Sequence, residues 1–179
     1  MSNLFDIACN FSSDRFDKDL DAVIERAKIN NVNKFLIVSA SLNDFEKIYN
    51  IYKSNLKDAF FSIGTHPHHA DEINEEQIKN MRRLVGEHNP SCIGETGLDF
   101  FRNLSSHDEQ TYAFQEQIKI AIDFNKPLYL HQRDSHSEFM KIISKYKAYL
   151  TKSVVHCFTG TQSELEDYLD NPQVQIEFL

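Results

Sequence analysis

The chain has 179 residues, enough for one domain with a sizeable core but short of the roughly 250 residues typical of a complete eight-fold α/β barrel. Its composition is that of a globular protein, with 41% hydrophobic and 26% charged residues, and no apolar run reaches the ~18–20 residues needed to span a membrane. The net charge of −8 excludes a protein that holds nucleic acid mainly through a broad basic surface, although it permits an enzyme that meets phosphates through metal ions and single cations.

In chain order, short β-rich runs alternate with longer amphipathic segments. Predicted strands cover residues 4–9, 34–39, 59–64, a run opening at 91–94, and residues 127–130, 153–155 and 174–179. Predicted helices lie between them at 14–30, 43–54, 74–87, 108–124, 137–149 and 163–170. This rhythm predicts parallel strands joined by right-handed helical crossovers, arranged either as an open doubly wound sheet or as a barrel.

The cysteines predict a reducing environment. Cys9, Cys92 and Cys157 are odd in number, far apart, and each within an apolar strand-like run, so we expect reduced, buried thiols rather than disulfides or a thiolate zinc site. The first residues carry neither a basic stretch nor a long apolar stretch, so no secretory signal is expected. A cytoplasmic location follows as the prediction.

Polar side chains capable of chemistry stand where five of the apolar runs stop. They are Asn10, His66, Glu95, His131 and His156. A parallel barrel gathers the carboxyl ends of its strands around one mouth, whereas an open sheet spreads them along a line. Because these residues form a chemically coherent set, their pattern favours the barrel.

Glu95, His131 and His156 predict a metal site. Two imidazoles and a carboxylate suit a borderline or hard divalent ion, and Glu95 can bridge a second ion because each of its oxygens can take one. A single histidine at a strand end is more often structural than catalytic, so the prediction depends on the three residues occurring together.

Arg133 follows His131 by two residues on the predicted loop after the fifth strand. A guanidinium at that rim is suited to gripping a phosphate through two hydrogen bonds. The alternative is a surface ion pair between Arg133 and Asp134, of little energetic value.

Four segments resemble the TatD family of metal-dependent hydrolases. Gly64 to His68 resembles its GxHP element, and Gly94 to Asp99 its GExGLD element. Pro127 to Asp134 resembles its PxxxHxRx stretch, and His156 to Gly160 its HCFxG stretch. All four occur in the family's order and extend over the chain to about residue 160, which makes the combination far more specific than any one segment.

The resemblance implies a (β/α)8 barrel of the amidohydrolase-like kind and a hydrolase that uses divalent metal, usually Mg²⁺, with Mn²⁺ or Zn²⁺ as alternatives and one or two ions. The family's metal ligands fall on Glu95, His131 and His156. Glu95 and His66 are the expected catalytic groups. His66 also serves as a substrate contact together with Arg133, Asn10 and Asp99, where Asp99 supports the others.

The sequence departs from the family at two points. Where many members carry an HxH metal pair on the first strand, this chain has Ala8 and Asn10, as in the TatD subgroup proper; Asn10 could offer an amide oxygen or simply form a turn. The family's late aspartate, in an ETDxP-like element, has no counterpart here. We therefore expect one domain over residues 1–179, a truncated barrel of about six βα units without its last strands and helices, with possible self-association through the open edge.

The function that this pattern favours is hydrolysis of phosphodiester bonds at single-stranded DNA or RNA ends, as a 3′–5′ exonuclease or deoxyribonuclease. Two alternatives remain open from the sequence. One is hydrolysis of a different ester, such as an aminoacyl-tRNA linkage or a lactone. The other is a non-catalytic remnant, since the missing aspartate could be needed to orient the attacking water.

Overall fold

The computed structural model describes residues 4–54, 58–171 and 174–176. Within these residues the chain forms seven strands and six α-helices, which alternate along the sequence. The strands are β1 (Leu4–Cys9), β2 (Val32–Ile37), β3 (Ala59–Ile63), β4 (Cys92–Asp99), β5 (Leu128–Arg133), β6 (Ser153–Val155) and β7 (Val174–Ile176). The helices are α1 (Leu20–Ile29), α2 (Phe45–Lys53), α3 (Glu75–His88), α4 (His107–Asp123), α5 (His136–Tyr146) and α6 (Gln162–Leu169).

Local sequence signals set the starts of these helices. The side chain of Ser106 accepts the N–H of Glu109, and the Glu109 carboxylate accepts the N–H of Ser106, so α4 begins with a complete capping box. Thr161 and Glu164 form the same arrangement at α6. Asn74 caps α3 with its side-chain oxygen. Each cap satisfies backbone donors that a helix start would otherwise leave unpaired.

All seven strands are parallel and lie in the order β1 to β7, each paired with the next strand along the chain. This sequential order, with an α-helix between each strand and the next, is the arrangement of a (β/α)8-type barrel and gives six βα units and a seventh strand. The predicted fold class is confirmed.

Strand bounds differ from the prediction where it matters most. The sequence places Glu95 and His131 where their strands stop, but β4 continues to Asp99 and β5 to Arg133. The prediction that Glu95 and His131 terminate strands is therefore wrong. The strands continue because Thr96 to Asp99 pair with Leu130 to Arg133, which satisfies the backbone of both segments despite their polar side chains.

The two faces of the sheet bury different side chains. On β5, Leu128 and Leu130 belong to the large core that packs under the helices, whereas Tyr129 belongs to a small inner cluster. Since side chains alternate along a strand, His131 and Arg133 share the inner face with Tyr129. The inner face is thus apolar at the amino ends of the strands and polar at their carboxyl ends.

The three cysteines are free thiols. Cys9 and Cys92 are buried as predicted, but Cys157 lies just after β6 and is only half-buried, so the prediction of three buried thiols within strands is wrong for this residue. None of the helices in the described ranges combines the length and apolarity that crossing a bilayer requires.

Candidate metal centre

Four strands bring polar side chains to one place at the mouth of the sheet. His66 lies three residues after β3 and caps the 3-10 turn Pro67–Glu72, while His156 directly follows β6. Glu95 and His131 lie within β4 and β5. Residues nearly a hundred positions apart thereby become neighbours, as the sequence predicted from the barrel.

A single oxygen of Glu95 is the centre of this arrangement. Its Oε1 lies 2.6 Å from Nε2 of His156, 3.1 Å from Nδ1 of His131 and 3.3 Å from Nε2 of His66. All four side chains are mostly shielded from solvent, at 11–18% exposed. Three imidazole nitrogens thus converge on one shielded carboxylate oxygen.

Asp99 forms a second carboxylate contact beside the first. Its Oδ2 lies 2.7 Å from Nε2 of His68 and 3.3 Å from Nε2 of His131. His131 therefore places one ring nitrogen against each carboxylate. His68 lies in the segment that resembles GxHP but had no predicted role, and the structure adds it to the candidate site. Its one signal in the sequence was its position two residues after His66.

The surroundings of both carboxylates favour their charged forms. Burial opposes ionisation of Glu95, but the hydrogen bonds of His131, His156 and His66 outweigh it and hold the pKa of Glu95 well below its usual range. Burial likewise opposes ionisation of Asp99, yet the N–H of Arg102 and the His68 imidazole lower its pKa to about 2. Two negative charges are thus held within one cluster of imidazoles.

His66 differs from the other histidines in its hydrogen bonds. Burial lowers the pKa of its imidazole, an effect only partly offset by Glu95, so the ring is neutral at pH 7. Its Nδ1 accepts the backbone N–H of His68 at 3.1 Å, so a neutral ring carries its proton on Nε2. The geometry therefore makes His66 a hydrogen-bond donor toward Glu95, rather than a group with a free lone pair there.

The donor set fits a divalent cation. Metal–ligand bonds of about 2.0–2.2 Å place neighbouring ligand atoms about 3 Å apart, close to the spacings around Glu95 Oε1. By mutual distance alone, the atoms of His66, Glu95 and His131 form the compact group, all within 4.8 Å of one another. His156 lies outside that group, although its Nε2 makes the shortest contact with Glu95. Since the hydrogen bond to Nδ1 leaves His66 a donor, the chemistry favours His156 over His66 as the third ligand.

The remaining predicted residues lie at different distances from this centre. The guanidinium of Arg133 lies over the ring of Phe101, 4.0 Å from its centroid, and among the described residues it forms no ion pair with Asp134. Asn10 is exposed just after β1, and its side-chain oxygen lies 3.4 Å from the hydroxyl of Ser12. Within the described ranges, Asn10 makes no hydrogen bond to Glu95 or to the neighbouring histidines.

Two buried glutamines of α4 hold the backbone beside the centre. Gln110 accepts the N–H of Asp99 at 2.8 Å and donates to its carbonyl at 3.1 Å. Gln117 does the same for Thr65, next to His66, at 2.8 and 3.0 Å. Neither residue was predicted from the sequence; the available signal was two glutamines seven positions apart on an otherwise apolar helix face.

Replacing Gln117 with Leu is expected to reduce the free energy of unfolding by about 2–3 kcal/mol, because the buried N–H and C=O of Thr65 lose their partners. Urea denaturation measures the change. Gln115→Leu is the matched control on the same helix, since Gln115 is only half-buried and its amide is 3.4 Å from the Thr111 carbonyl. Equal effects of the two substitutions would contradict the role of Gln117 in holding the Thr65 backbone.

Comparison with known proteins gives consistent matches along the chain. A family model described as TatD related DNase matches residues 5–175. A protein named 3′-5′ ssDNA/RNA exonuclease TatD from Pantoea ananatis is 36% identical over 167 residues, and one of the same name from Cronobacter sakazakii is 38% identical over 164. These alignments cover 93% and 92% of this chain but 64% and 62% of the relatives, so the chain spans less than two thirds of their length.

Solved structures give the same picture of the fold. A hydrolase of the TatD family from Entamoeba histolytica superimposes with a TM-score of 0.88 at 27% identity, over 99% of this chain and 65% of that one. A TatD homologue from Escherichia coli superimposes with a TM-score of 0.87 at 21% identity, over 97% of this chain and 66% of that one.

Proposed function

The chain belongs to the TatD-related DNase family, and from this premise we propose that it is a metal-dependent nuclease that hydrolyses phosphodiester bonds at single-stranded DNA or RNA ends in the 3′–5′ direction. The substrate and direction come from the names of the relatives in Pantoea and Cronobacter. The observation that carries the proposal is the Oε1 atom of Glu95, on which the nitrogens of His131, His156 and His66 converge.

Glu95, His131 and His156 are the proposed metal ligands. A carboxylate with two imidazoles suits Mg²⁺ or Mn²⁺ completed by water and phosphate oxygens, and Zn²⁺ also fits; Mg²⁺ is proposed first. If a second ion binds, the Glu95 carboxylate would hold it too, because each carboxylate oxygen can take one ion. When bound, the metal would neutralise phosphate charge and make a bound water more acidic.

The other side chains position the substrate. His66 carries its proton on Nε2, so it can donate a hydrogen bond to a phosphate oxygen placed near Glu95. Arg133 supplies a cation from the same face as His131 and is proposed to hold a phosphate. Asp99 orients His68 and His131 through its carboxylate. Asn10 remains a proposed substrate contact at the end of β1.

The proposal is tested with single-stranded DNA labelled at its 5′ end and incubated with the protein and Mg²⁺ or Mn²⁺. Stepwise shortening that stops when the ions are chelated supports it, and an RNA of the same sequence tests the range of substrates. No shortening of either strand would contradict it, and parallel assays with an aminoacyl-tRNA and a lactone decide whether another ester is the substrate.

Two single substitutions separate the proposed ligands from the proposed donor. His156→Ala is expected to weaken Mn²⁺ binding by about 10-fold or more, because a ligand is removed. His66→Asn is expected to lower turnover while leaving Mn²⁺ affinity within about twofold. Titration calorimetry with Mn²⁺ measures both affinities. If His66→Asn loses the ion and His156→Ala keeps it, the assignment of these two histidines is reversed.

We also propose that copies of the chain associate through an open edge of the sheet. Among the described residues, β1 and β7 each have one neighbouring strand, so each presents unpaired backbone groups. Analytical ultracentrifugation is expected to show dimers or larger species whose fraction rises with concentration. A monomer at all concentrations would contradict this proposal.

The free thiols fit a reducing compartment, and we propose a cytoplasmic location.

A further inference from the structure

The loop between β4 and α4 presents an exposed aromatic ring close to the proposed metal centre. Phe101 is 57% exposed, although the guanidinium of Arg133 lies 4.0 Å from its ring centroid. Leu104, on the same loop, is 63% exposed. The Phe101 ring is thus partly covered by a cation and otherwise open to solvent. None of the roles proposed above gives this ring a function.

The same carboxylate ties this loop to the centre. Oδ1 of Asp99 accepts the N–H of Phe101 at 3.0 Å and that of Arg102 at 2.8 Å, while Oδ2 contacts His131 at 3.3 Å. Only one carboxyl group therefore separates the amide of Phe101 from a proposed metal ligand. The Asp99 carboxylate thereby holds the start of the Phe101 loop beside the proposed metal centre.

The loop is held in place on both sides of Phe101. Phe100 stacks on His107 with ring centroids 3.6 Å apart, and its carbonyl accepts the side-chain amide of Asn103 at 2.8 Å. The N–H of Phe100 bonds to the carbonyl of Arg133 at 2.9 Å. A loop that is held in place before binding loses little backbone conformational entropy when a ligand stacks on its aromatic side chain.

We infer that Phe101 and Arg133 form a subsite that binds a nucleobase of the single-stranded substrate, with the base stacked on the open part of the Phe101 ring and the neighbouring phosphate on Arg133. This rests on the proposed nuclease function. A nucleic acid fits because it offers what the pair can bind, a flat π-system beside an anion, and stacking on an aromatic side chain accepts every base.

The test uses two fluorescent oligonucleotides of equal length and equal phosphate number, and their binding is measured by fluorescence anisotropy in the presence of Ca²⁺. Gel electrophoresis verifies that the probes stay intact. One is oligo(dT) and the other is its abasic analogue. The wild type is expected to bind oligo(dT) more tightly. Phe101→Leu is expected to bind oligo(dT) about 10-fold more weakly and the abasic probe as before, while Phe101→Trp keeps the preference.

Two variants control for other causes. Tyr149→Leu removes another exposed aromatic, 69% exposed beyond α5 at the opposite end of the sheet, and is expected to change neither affinity. Arg133→Gln is expected to weaken both probes equally. The inference is overturned if Phe101→Leu binds oligo(dT) as tightly as the wild type or binds both probes equally more weakly. It is also overturned if the wild type shows no preference for oligo(dT). If the wild type prefers oligo(dT) but cuts neither DNA nor RNA, the subsite stands and the nuclease proposal fails.

Discussion

Replacing Glu95 with Gln is expected to reduce hydrolysis of single-stranded DNA by about 10³-fold or more. The substitution preserves shape but removes the one negative charge that, among the described residues, contacts His66, His131 and His156 together. A neutral amide binds divalent ions far more weakly than a carboxylate, and metal stabilisation of phosphate charge contributes several kcal/mol to such reactions. Both binding of the ion and turnover should therefore fall.

The measurement compares initial rates at saturating Mg²⁺ for the wild type and the Glu95→Gln variant, purified identically so that a contaminating nuclease would appear in both. Glu25→Gln is the matched control, because Glu25 is exposed on α1 and its ion pair within the described ranges is with Lys28, far from the centre in sequence. Far-UV circular dichroism verifies that each variant is folded. Wild-type activity in Glu95→Gln would show that hydrolysis occurs without this carboxylate and would remove the central residue of the proposal.

Replacing Gly97 with Ala is expected to destabilise the protein by about 2–5 kcal/mol, the largest effect on stability of any substitution considered. A Cβ at Gly97 would overlap with the carbonyl oxygen of His131, so β4 and β5 would have to separate. Gly97 also has a φ of +146°, which side-chain-bearing residues rarely adopt. Overpacking and backbone strain each cost about 1–3 kcal/mol.

Gly86→Ala provides a control that adds the same methyl group elsewhere. Gly86 lies in α3, and a Cβ there would be 3.5 Å from the ring of Phe124, an ordinary contact. Because alanine favours helices over glycine, Gly86→Ala is expected to stabilise the protein by about 0.5–1 kcal/mol. Urea denaturation of both variants should give changes of opposite sign. Equal unfolding midpoints for Gly97→Ala and the wild type would contradict the close approach of β4 and β5.

The fold was accessible from the sequence because parallel architecture has a strong local signature. Alternating β-rich runs and amphipathic segments predicted the seven strands and six α-helices of the described residues, with ends displaced by a few residues. Residues 177–179 of the last predicted strand lie outside the described residues. The predicted helix at 14–30 was too long, since a 3-10 turn, Asp14–Phe16, precedes α1. Such ends depend on hydrogen bonds to neighbouring segments, which a local pattern does not contain.

The candidate site was accessible only in part. His66, Glu95, His131 and His156 were predicted to meet, and the structure places them around one oxygen. Asn10 was predicted with them, but its described contacts are with Ser12 and Ser13 instead. The prediction for Asn10 and its observed contacts differ because a barrel mouth brings the strand ends together but does not fix which side chains contact one another.

What the sequence alone determined was most of the candidate site residues and the strands that carry or precede them, since both follow from residue type and from periodicity along the chain. Only the tertiary structure decided that Glu95 and His131 lie inside strands, that His68 joins Asp99, and that two glutamines of α4 hold the backbone beside the centre. These features depend on strand register and on hydrogen bonds between segments distant in the chain. Their energies arise only when the segments are packed together, so no pattern within one segment encodes them.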